Sequence, residues 1–198
     1  MAHIDYYTSP ISTFAYLAGN RFEQVVAKHK ATVTYKPFDL VANFNRTGGL
    51  PLGQRHESRV AYRLQELERI SKRYGLPMNF KPAHFPTNPA PASYAIIAAQ
   101  NAGGGDLGGL VQAFLRACFE QEKDVADDLV IRACLTANGF DPTLADSGMM
   151  AGAETYARNT EDAVRLGVFG APFYIVGEEK FWGQDRIEYL DAHLDEIG

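Results

Sequence analysis

Apolar residues near the start of the chain change from extended runs to a helical spacing and back. Ile4–Tyr7 and Thr32–Tyr35 are short runs rich in aromatic and β-branched residues, which predicts two strands. Between them, apolar side chains recur every three or four positions, which predicts one helix over Ser12–His29. The stripe consists of Phe14, Leu17, Ala18, Phe22, Val25 and Val26. A crossover of this length predicts a right-handed parallel βαβ unit.

The end of the chain has the pattern of a hairpin followed by a helix. Phe173–Val176 is a continuous apolar run typical of a buried strand, Gly177–Glu179 has the composition of a turn, and Lys180–Trp182 can pair back. Apolar positions spaced by three and four then predict a helix over Gln184–Glu196. Together the two ends give the βαβ…ββα plan of an α/β thioredoxin-like fold.

A long helical segment separates these two ends. We expect residues 1–36 and 167–198 to form a discontinuous thioredoxin-like domain, and residues 37–166 to form a large α-helical insertion, too long to be a loop. Two loops are predicted, Pro37–His56 with many Gly and Asn residues, and Gly75–Pro91 with five prolines. The predicted helices are Glu57–Tyr74, Ala92–Asn101, Leu107–Glu120, Asp127–Asn138 and Gly152–Leu166.

Composition and charge exclude some classes of function. The chain has 198 residues, a net charge of -5 and a pI near 5.5, so it lacks the excess of Lys and Arg that nucleic-acid binding requires. No apolar run approaches the roughly 20 residues needed to cross a bilayer. The first residues lack the basic and apolar pattern of a secretory signal, so we expect a cytoplasmic protein.

The cysteines and histidines do not form a recognisable motif. Cys118 and Cys134 lie sixteen positions apart in helix-like apolar segments, which matches neither a redox motif nor a metal-ligand spacing. We therefore expect both to be core residues. The histidines occur singly and predict no metal site. They are His3, His29, His56, His84 and His193.

The turn Ser9-Pro10-Ile11-Ser12 stands where a thioredoxin-like redox protein carries Cys-x-x-Cys. It precedes the first predicted helix, whose unpaired N–H groups favour an anion. A serine hydroxyl there can donate a hydrogen bond to a thiolate, although it is a poor nucleophile without a base. In the alternative interpretation, Ser9 and Ser12 only cap the helix.

The loop Gly170-Ala171-Pro172 directly precedes the predicted strand at Phe173. In thioredoxin-like folds the proline at this point is cis and lies opposite the first helix. The N–H and C=O groups of the preceding residue, here Ala171, are then free to pair with an extended peptide, as in strand addition. By itself this tripeptide is typical of an ordinary loop. Only its combination with the serine turn in one sequence makes it a specific indication of the thioredoxin-like arrangement.

The corner Trp182-Gly183-Gln184-Asp185-Arg186 ends the last strand and opens the last predicted helix. Gln184 and Asp185 are suited to capping that helix. Alternatively, this corner binds the zwitterionic end of a small peptide, with Asp185 accepting from its ammonium group.

These motifs together carry a family resemblance. Tyr-x-Ser-Pro-x-Ser-x-x-Ala-Tyr-Leu-Ala at the start, Phe-Gly-x-Pro before the late strand and Trp-Gly-x-Asp-Arg near the end resemble 2-hydroxychromene-2-carboxylate isomerases. The likeness covers essentially the whole chain. This group is similar to kappa-class glutathione transferases and, more distantly, to DsbA-type oxidoreductases.

The resemblance implies roles for particular residues. Ser9 would contact the sulfur of the cofactor glutathione, and Ala171 would pair with its cysteinyl backbone beside cis Pro172. The remaining implied cofactor contacts are Trp182, Gly183, Gln184, Asp185 and Arg186. Asn45, Phe85 and Asn88 would border a small aromatic substrate. The resemblance also implies a homodimer.

The implied reaction interconverts a cyclic hydroxychromene carboxylate and an open-chain hydroxybenzylidenepyruvate in aromatic hydrocarbon breakdown. Glutathione would add reversibly and be regenerated. The sequence leaves two alternatives open, a glutathione transferase that consumes the thiol and a non-catalytic peptide-binding module. A disulfide oxidoreductase is disfavoured because the turn contains no cysteine.

Overall fold

The computed structural model describes all 198 residues and contains one four-stranded sheet. The strands are β1 (His3–Thr8), β2 (Thr32–Pro37), β3 (Phe173–Val176) and β4 (Glu179–Trp182). Their order across the sheet is β2-β1-β3-β4. β1 pairs in parallel with β2 and antiparallel with β3, and β3 pairs antiparallel with β4. This topology confirms the predicted thioredoxin-like plan.

The single helix predicted over Ser12–His29 is wrong. The structure has two helices, α1 (Thr13–Tyr16) and α2 (Arg21–His29), separated by a turn. Gly19 has a φ of +58° in this turn, a conformation that glycine adopts without a steric penalty. Since α1 is a single turn, few peptide dipoles align there, and the expected effect of a helix N-terminus on an anion is small.

The loop predicted over Pro37–His56 is also wrong. It contains α3 (Leu40–Thr47) and a single turn of 3-10 helix (Leu52–Gln54). The Asp39 carboxylate caps α3 by accepting hydrogen bonds from the N–H groups of the second and third helical residues. Gly48, with a φ of +81°, ends the helix.

The remaining helices lie close to their predicted positions, with one addition. α4 covers the predicted residues. α5 begins at Ala90, two residues before its predicted start, so that Pro91 lies in its first turn. A short helix that was not predicted, α8, precedes α9. The last helix begins three residues later than expected, so Gln184 and Asp185 precede it. These helices are α4 (Glu57–Tyr74), α5 (Ala90–Ala102), α6 (Leu107–Phe119), α7 (Asp128–Ala137), α8 (Leu144–Ser147), α9 (Met149–Leu166) and α10 (Ile187–Ile197).

The main hydrophobic core unites the sheet with the insertion. It consists of 30 buried residues, including Ile4 and Tyr174 from the strands and Ile96 and Phe114 from the insertion helices. A second cluster of seven buried residues is built around Tyr7 and includes residues of both β1 and β3. The predicted division into two domains stays a prediction. None of the helices combines the length and apolarity needed to span a bilayer.

Candidate active site at one edge of the sheet

Three segments meet at one edge of the sheet because of strand direction. β1 and β2 are parallel, so both end at this edge, and Thr8 lies opposite Pro37. β3 is antiparallel to β1 and therefore begins at the same edge, where Tyr7 pairs with Phe173. The serine turn, the start of α3 and the loop before β3 are thus neighbours.

Ser9 is completely buried immediately after β1. Its backbone carbonyl accepts a hydrogen bond from the N–H of Ser12 at 2.9 Å, which closes the turn. The Ser9 hydroxyl is buried without a hydrogen-bond partner. Such groups are rare in native proteins because an unmade hydrogen bond costs free energy. The Ser9 hydroxyl is therefore an unused donor enclosed by the surrounding side chains.

Ser12 has the capping role that the sequence suggested, and a second contact. Its hydroxyl oxygen accepts from the N–H of Ala15 at 3.2 Å and donates to the carbonyl oxygen of Ala171 at 2.9 Å. This contact joins the turn directly to the loop before β3. The two serines therefore differ, since Ser12 is fully engaged and Ser9 is not.

The loop before β3 has the predicted backbone geometry. The Ala171–Pro172 peptide bond is cis, as expected. The N–H of Ala171 forms no hydrogen bond within the chain, but its carbonyl accepts from Ser12, so the expectation that both backbone groups are free is wrong for the carbonyl. One backbone donor thus remains available beside Ser12 for an extended ligand.

The corner after β4 packs against this loop. The N–H of Gly183 donates to the carbonyl oxygen of Pro172 at 2.9 Å, and Gly183 has a φ of +109°. The ring of Trp182 lies over Gly170, where an added Cβ would come within 2.4 Å of the indole nitrogen. Trp182 also contacts Phe169, with ring centroids 4.8 Å apart. The structure therefore brings the loop before β3 and the corner after β4 together.

Within this corner the polar side chains have different surroundings. Gln184 is buried and accepts a hydrogen bond from the Arg21 guanidinium, which stacks on Tyr74 at 3.8 Å from the ring centroid. Asp185 is exposed and pairs with Arg186 at 2.7 Å. Gln184 is thus a packing residue in this structure, and Asp185 remains accessible to a ligand.

The three predicted substrate residues lie on α3 and in the segment between α4 and α5, and none of them forms a hydrogen bond with the serine turn. Asn45 is exposed on α3, whereas its neighbour Asn43 is buried and donates to the carbonyl oxygen of Val168 at 2.9 Å. Phe85 packs against Phe119, with ring centroids 5.7 Å apart. The exposed Asn88 accepts from the N–H of Ala90 at 3.1 Å, at the start of α5. Their substrate contacts stay predictions.

A group of arginines beside the turn was missed by the sequence analysis. Arg63 on α4 donates to the Thr13 hydroxyl at 2.5 Å, directly after Ser12. Burial lowers the pKa of Arg63 and of Arg55, and each is lowered further by a neighbouring guanidinium, Arg55 for Arg63 and Arg59 for Arg55. Their spacing of four residues was visible in the sequence. The contact of Arg63 with α1 depends on tertiary packing.

Neither cysteine is placed for thiol chemistry. Cys118 is buried, and burial raises the pKa of its thiol to about 12. Burial also raises the pKa of Cys134, which is partly buried. Thiols of this kind are rarely ionised at neutral pH. Neither cysteine therefore supplies an ionised thiol to the serine turn.

His29 is the one histidine that lies within a cluster of acidic groups. Its Nε2 atom is 2.6 Å from an Asp191 carboxylate oxygen, and Asp195 is adjacent. The Lys28 ammonium group lies 2.9 Å from both carboxylates and supplies the compensating charge. We therefore interpret the cluster as an ion-pair network that links α2 to α10.

Comparison with known families agrees with this geometry. A family model described as the DSBA-like thioredoxin domain matches residues 3–195. The chain belongs to this family. Within the DSBA-like family, the Ser9-to-Ser12 turn of this chain has serine at both positions where redox members carry cysteine.

Individual relatives of this DSBA-like chain narrow the comparison. It is 28% identical over 202 residues to 2-hydroxychromene-2-carboxylate isomerase of Sphingobium xenophagum, covering 96% of this chain and 97% of the relative. The solved structure of a 2-hydroxychromene-2-carboxylate isomerase has a TM-score of 0.79 at 22% identity, covering 98% and 95% of the two chains. The resemblance drawn from the motifs is confirmed, and relatives named as isomerases support an isomerase activity.

A more distant DSBA-like neighbour was solved with glutathione. The cytosolic disulfide reductase DsbM of Pseudomonas aeruginosa with GSH has a TM-score of 0.70 at 16% identity, covering 98% of each chain. At this identity the likeness concerns the fold alone.

Proposed function

We propose that this chain is a glutathione-dependent isomerase. It would interconvert 2-hydroxychromene-2-carboxylate, or a homologue, and trans-o-hydroxybenzylidenepyruvate. The observation that carries the proposal is the hydrogen bond between Ser12 and Ala171. It joins a thioredoxin-type turn that lacks cysteine to a loop with a cis proline. A turn of this kind suits an external thiol. The relatives named as isomerases supply the reaction class.

The residues present fit glutathione at three points. The unpaired N–H of Ala171 suits the carbonyl of a cysteinyl residue in an extended tripeptide. The unpaired Ser9 hydroxyl suits the sulfur. Asp185 is exposed and suits the γ-glutamyl ammonium group. Bound glutathione would supply a thiol that adds reversibly to a conjugated carbon and permits rotation about the resulting single bond.

Ser9 would act as a hydrogen-bond donor rather than as a nucleophile. No histidine contacts its hydroxyl, so a base to activate it is lacking. A donor stabilises the thiolate relative to the thiol and so lowers the pKa of a bound thiol. Because the hydroxyl is enclosed in this structure, a sulfur reaches it only when the surrounding side chains move apart.

Ser12 would hold the two sides of the site together. Its bond to Ala171 fixes the distance between the turn and the loop whose N–H faces the ligand. We expect this bond to persist with glutathione bound. A carbonyl group of the ligand would use only the N–H of Ala171, and the carbonyl oxygen of Ala171 has a second lone pair besides the one that accepts from Ser12.

The decisive experiment follows the ultraviolet absorbance of hydroxychromene carboxylate with purified protein. We expect an absorbance change that requires glutathione while total free thiol stays constant. S-methylglutathione, which lacks the thiol, is the matched control and should support no turnover. Stoichiometric thiol loss would show a conjugating transferase instead. Binding of glutathione without turnover would show a non-catalytic module.

Localisation and assembly also belong to the proposal. We place the enzyme in the cytoplasm, where thiols are kept reduced. We further propose that it is a homodimer, which sedimentation equilibrium of the purified chain would test.

A further inference from the structure

The arginine cluster, defined as Arg55, Arg59 and Arg63, has no carboxylate partner. Five other arginines form ion pairs with Asp or Glu, and none of these three does. Guanidinium groups that lie together repel one another, and the partial burial of Arg55 and Arg63 removes water that would screen their charges. A cluster kept under these conditions is suited to an anion.

The cluster borders the candidate active site. Arg63 donates to the Thr13 hydroxyl, and Thr13 follows the residue that contacts Ala171. Arg55 donates to the carbonyl oxygen of Leu50 at 2.7 Å, which holds the segment after α3 against α4. α3 follows β2, and the loop with Ala171, which is proposed to bind glutathione, precedes β3. Arg55 lies beside Phe44 of α3, and the preceding residue Asn43 donates to the carbonyl oxygen of Val168 in the loop before β3, so the cluster and that loop border the same site.

Aromatic rings accompany the cations. The guanidinium of Arg63 lies 5.9 Å from the ring centroid of Phe14, and that of Arg55 lies 5.6 Å from the ring centroid of Phe44. Both rings are partly exposed. Flat apolar surfaces beside unpaired guanidinium groups match a planar aromatic ring that carries a carboxylate.

We propose that the arginine cluster binds the carboxylate of the aromatic substrate, while Phe14 and Phe44 contact its ring. This inference rests on the proposed isomerase function and names its acid subsite. The carboxylate is assigned to the substrate rather than to the glycyl end of glutathione because the cluster is accompanied by aromatic rings, which match an aromatic acid better than a glycyl group.

Chromone-2-carboxylate and chromone-2-carboxamide are stable probes that differ only in the charge of the group concerned. Calorimetry with the whole protein should show that the carboxylate binds at least about tenfold more tightly than the amide. Arg59→Gln should remove most of this preference and leave binding of the amide unchanged. Arg63→Lys, which keeps the charge but loses the planar fork, should remove part of it.

Arg69→Gln is the matched control because it removes the same charge from the same helix. Arg69 is exposed and paired with Glu66, so this variant should retain the preference for the carboxylate. Equal binding of the two probes to the unaltered protein would overturn the inference. So would equal losses in Arg59→Gln and Arg69→Gln, or a loss of glutathione affinity in Arg59→Gln with carboxylate binding intact.

The two proposals fail in different experiments. A protein that prefers the carboxylate but shows no glutathione-dependent isomerisation would overturn the proposed function and retain an acid subsite. A protein that isomerises its substrate but binds both probes equally would retain the function and overturn the acid subsite.

Discussion

The Ser12 hydroxyl donates a hydrogen bond to the carbonyl oxygen of Ala171, 159 residues later in the chain, at a distance of 2.9 Å. This bond joins the two ends of the chain at the candidate active site. The two serines of the turn therefore differ in role. The Ser12 hydroxyl is hydrogen-bonded to both Ala15 and Ala171, whereas the Ser9 hydroxyl has no hydrogen-bond partner.

We expect Ser12→Ala to reduce the free energy of unfolding by about 1.5–3 kcal/mol, since it removes a helix cap and a buried hydrogen bond. Urea unfolding followed by circular dichroism measures this change. Ser147→Ala is the control, because the exposed Ser147 hydroxyl bonds only to the carbonyl of Thr143, the residue before α8. Equal stability of the two variants would show that the Ala171 bond contributes little.

Ser9→Ala should behave in the opposite way. It removes a buried hydroxyl that has no partner, so stability should be retained within about 1 kcal/mol. Turnover with glutathione should fall most at neutral pH and recover at higher pH, because a bound thiol without this donor has a higher pKa. A pH profile of kcat/KM from pH 6 to 9.5 tests this. Full activity throughout would rule out the donor role.

Glu23 gives a prediction about the pH dependence of stability. Burial raises the pKa of its carboxyl group to about 7, with a further contribution from Asp106, and both carboxylate oxygens lack partners. The folded state therefore holds a proton that the unfolded chain releases near pH 4.5. Stability should fall as pH rises from about 4.5 to 7 and then stay level.

Glu23→Gln should remove this pH dependence. Relative to the unaltered protein, the variant should gain about 1–3 kcal/mol at pH 8 and almost nothing at pH 4.5. Urea unfolding at the two pH values measures the difference. Glu178→Gln, at an exposed turn position, should leave the original slope unchanged. A constant offset at both pH values would contradict the elevated pKa.

Asp185→Ala tests the corner after β4. If Asp185 accepts from the ammonium group of glutathione, the variant should bind glutathione about 1–3 kcal/mol less tightly in calorimetry. Asp185 precedes α10 and is exposed, so the fold should be unaffected. Glu188→Ala, in the first turn of α10, is the nearby control. Unchanged affinity in Asp185→Ala would leave this residue with only its Arg186 pair.

The sheet and most helices were predictable because they are periodic. The break at Gly19 was not, because the residues before and after it contribute to one apolar face and the spacing does not record a change of direction. α3 was missed because it has only eight residues and is followed by two glycines. Asp39, followed by an apolar pair, was the available signal of a helix start.

The candidate site was predictable where it depends on backbone motifs. The serine turn and the loop before β3 are short segments with restricted geometry, and the structure places them in contact. The arginine cluster depends on side chains from segments 50 residues apart, since Arg63 reaches Thr13. A helical repeat of Arg in the sequence indicates a shared face, but not what that face contacts.

The central position of β1 has a consequence for synthesis of the protein. β1 has β2 on one side and β3 on the other, and β3 is made only after the entire insertion. A nascent chain that has reached the end of α9 therefore carries β1 with one row of backbone N–H and C=O groups unpaired. Such an edge can pair with another chain. The last 30 or so residues therefore both complete the site and cover this open side of β1.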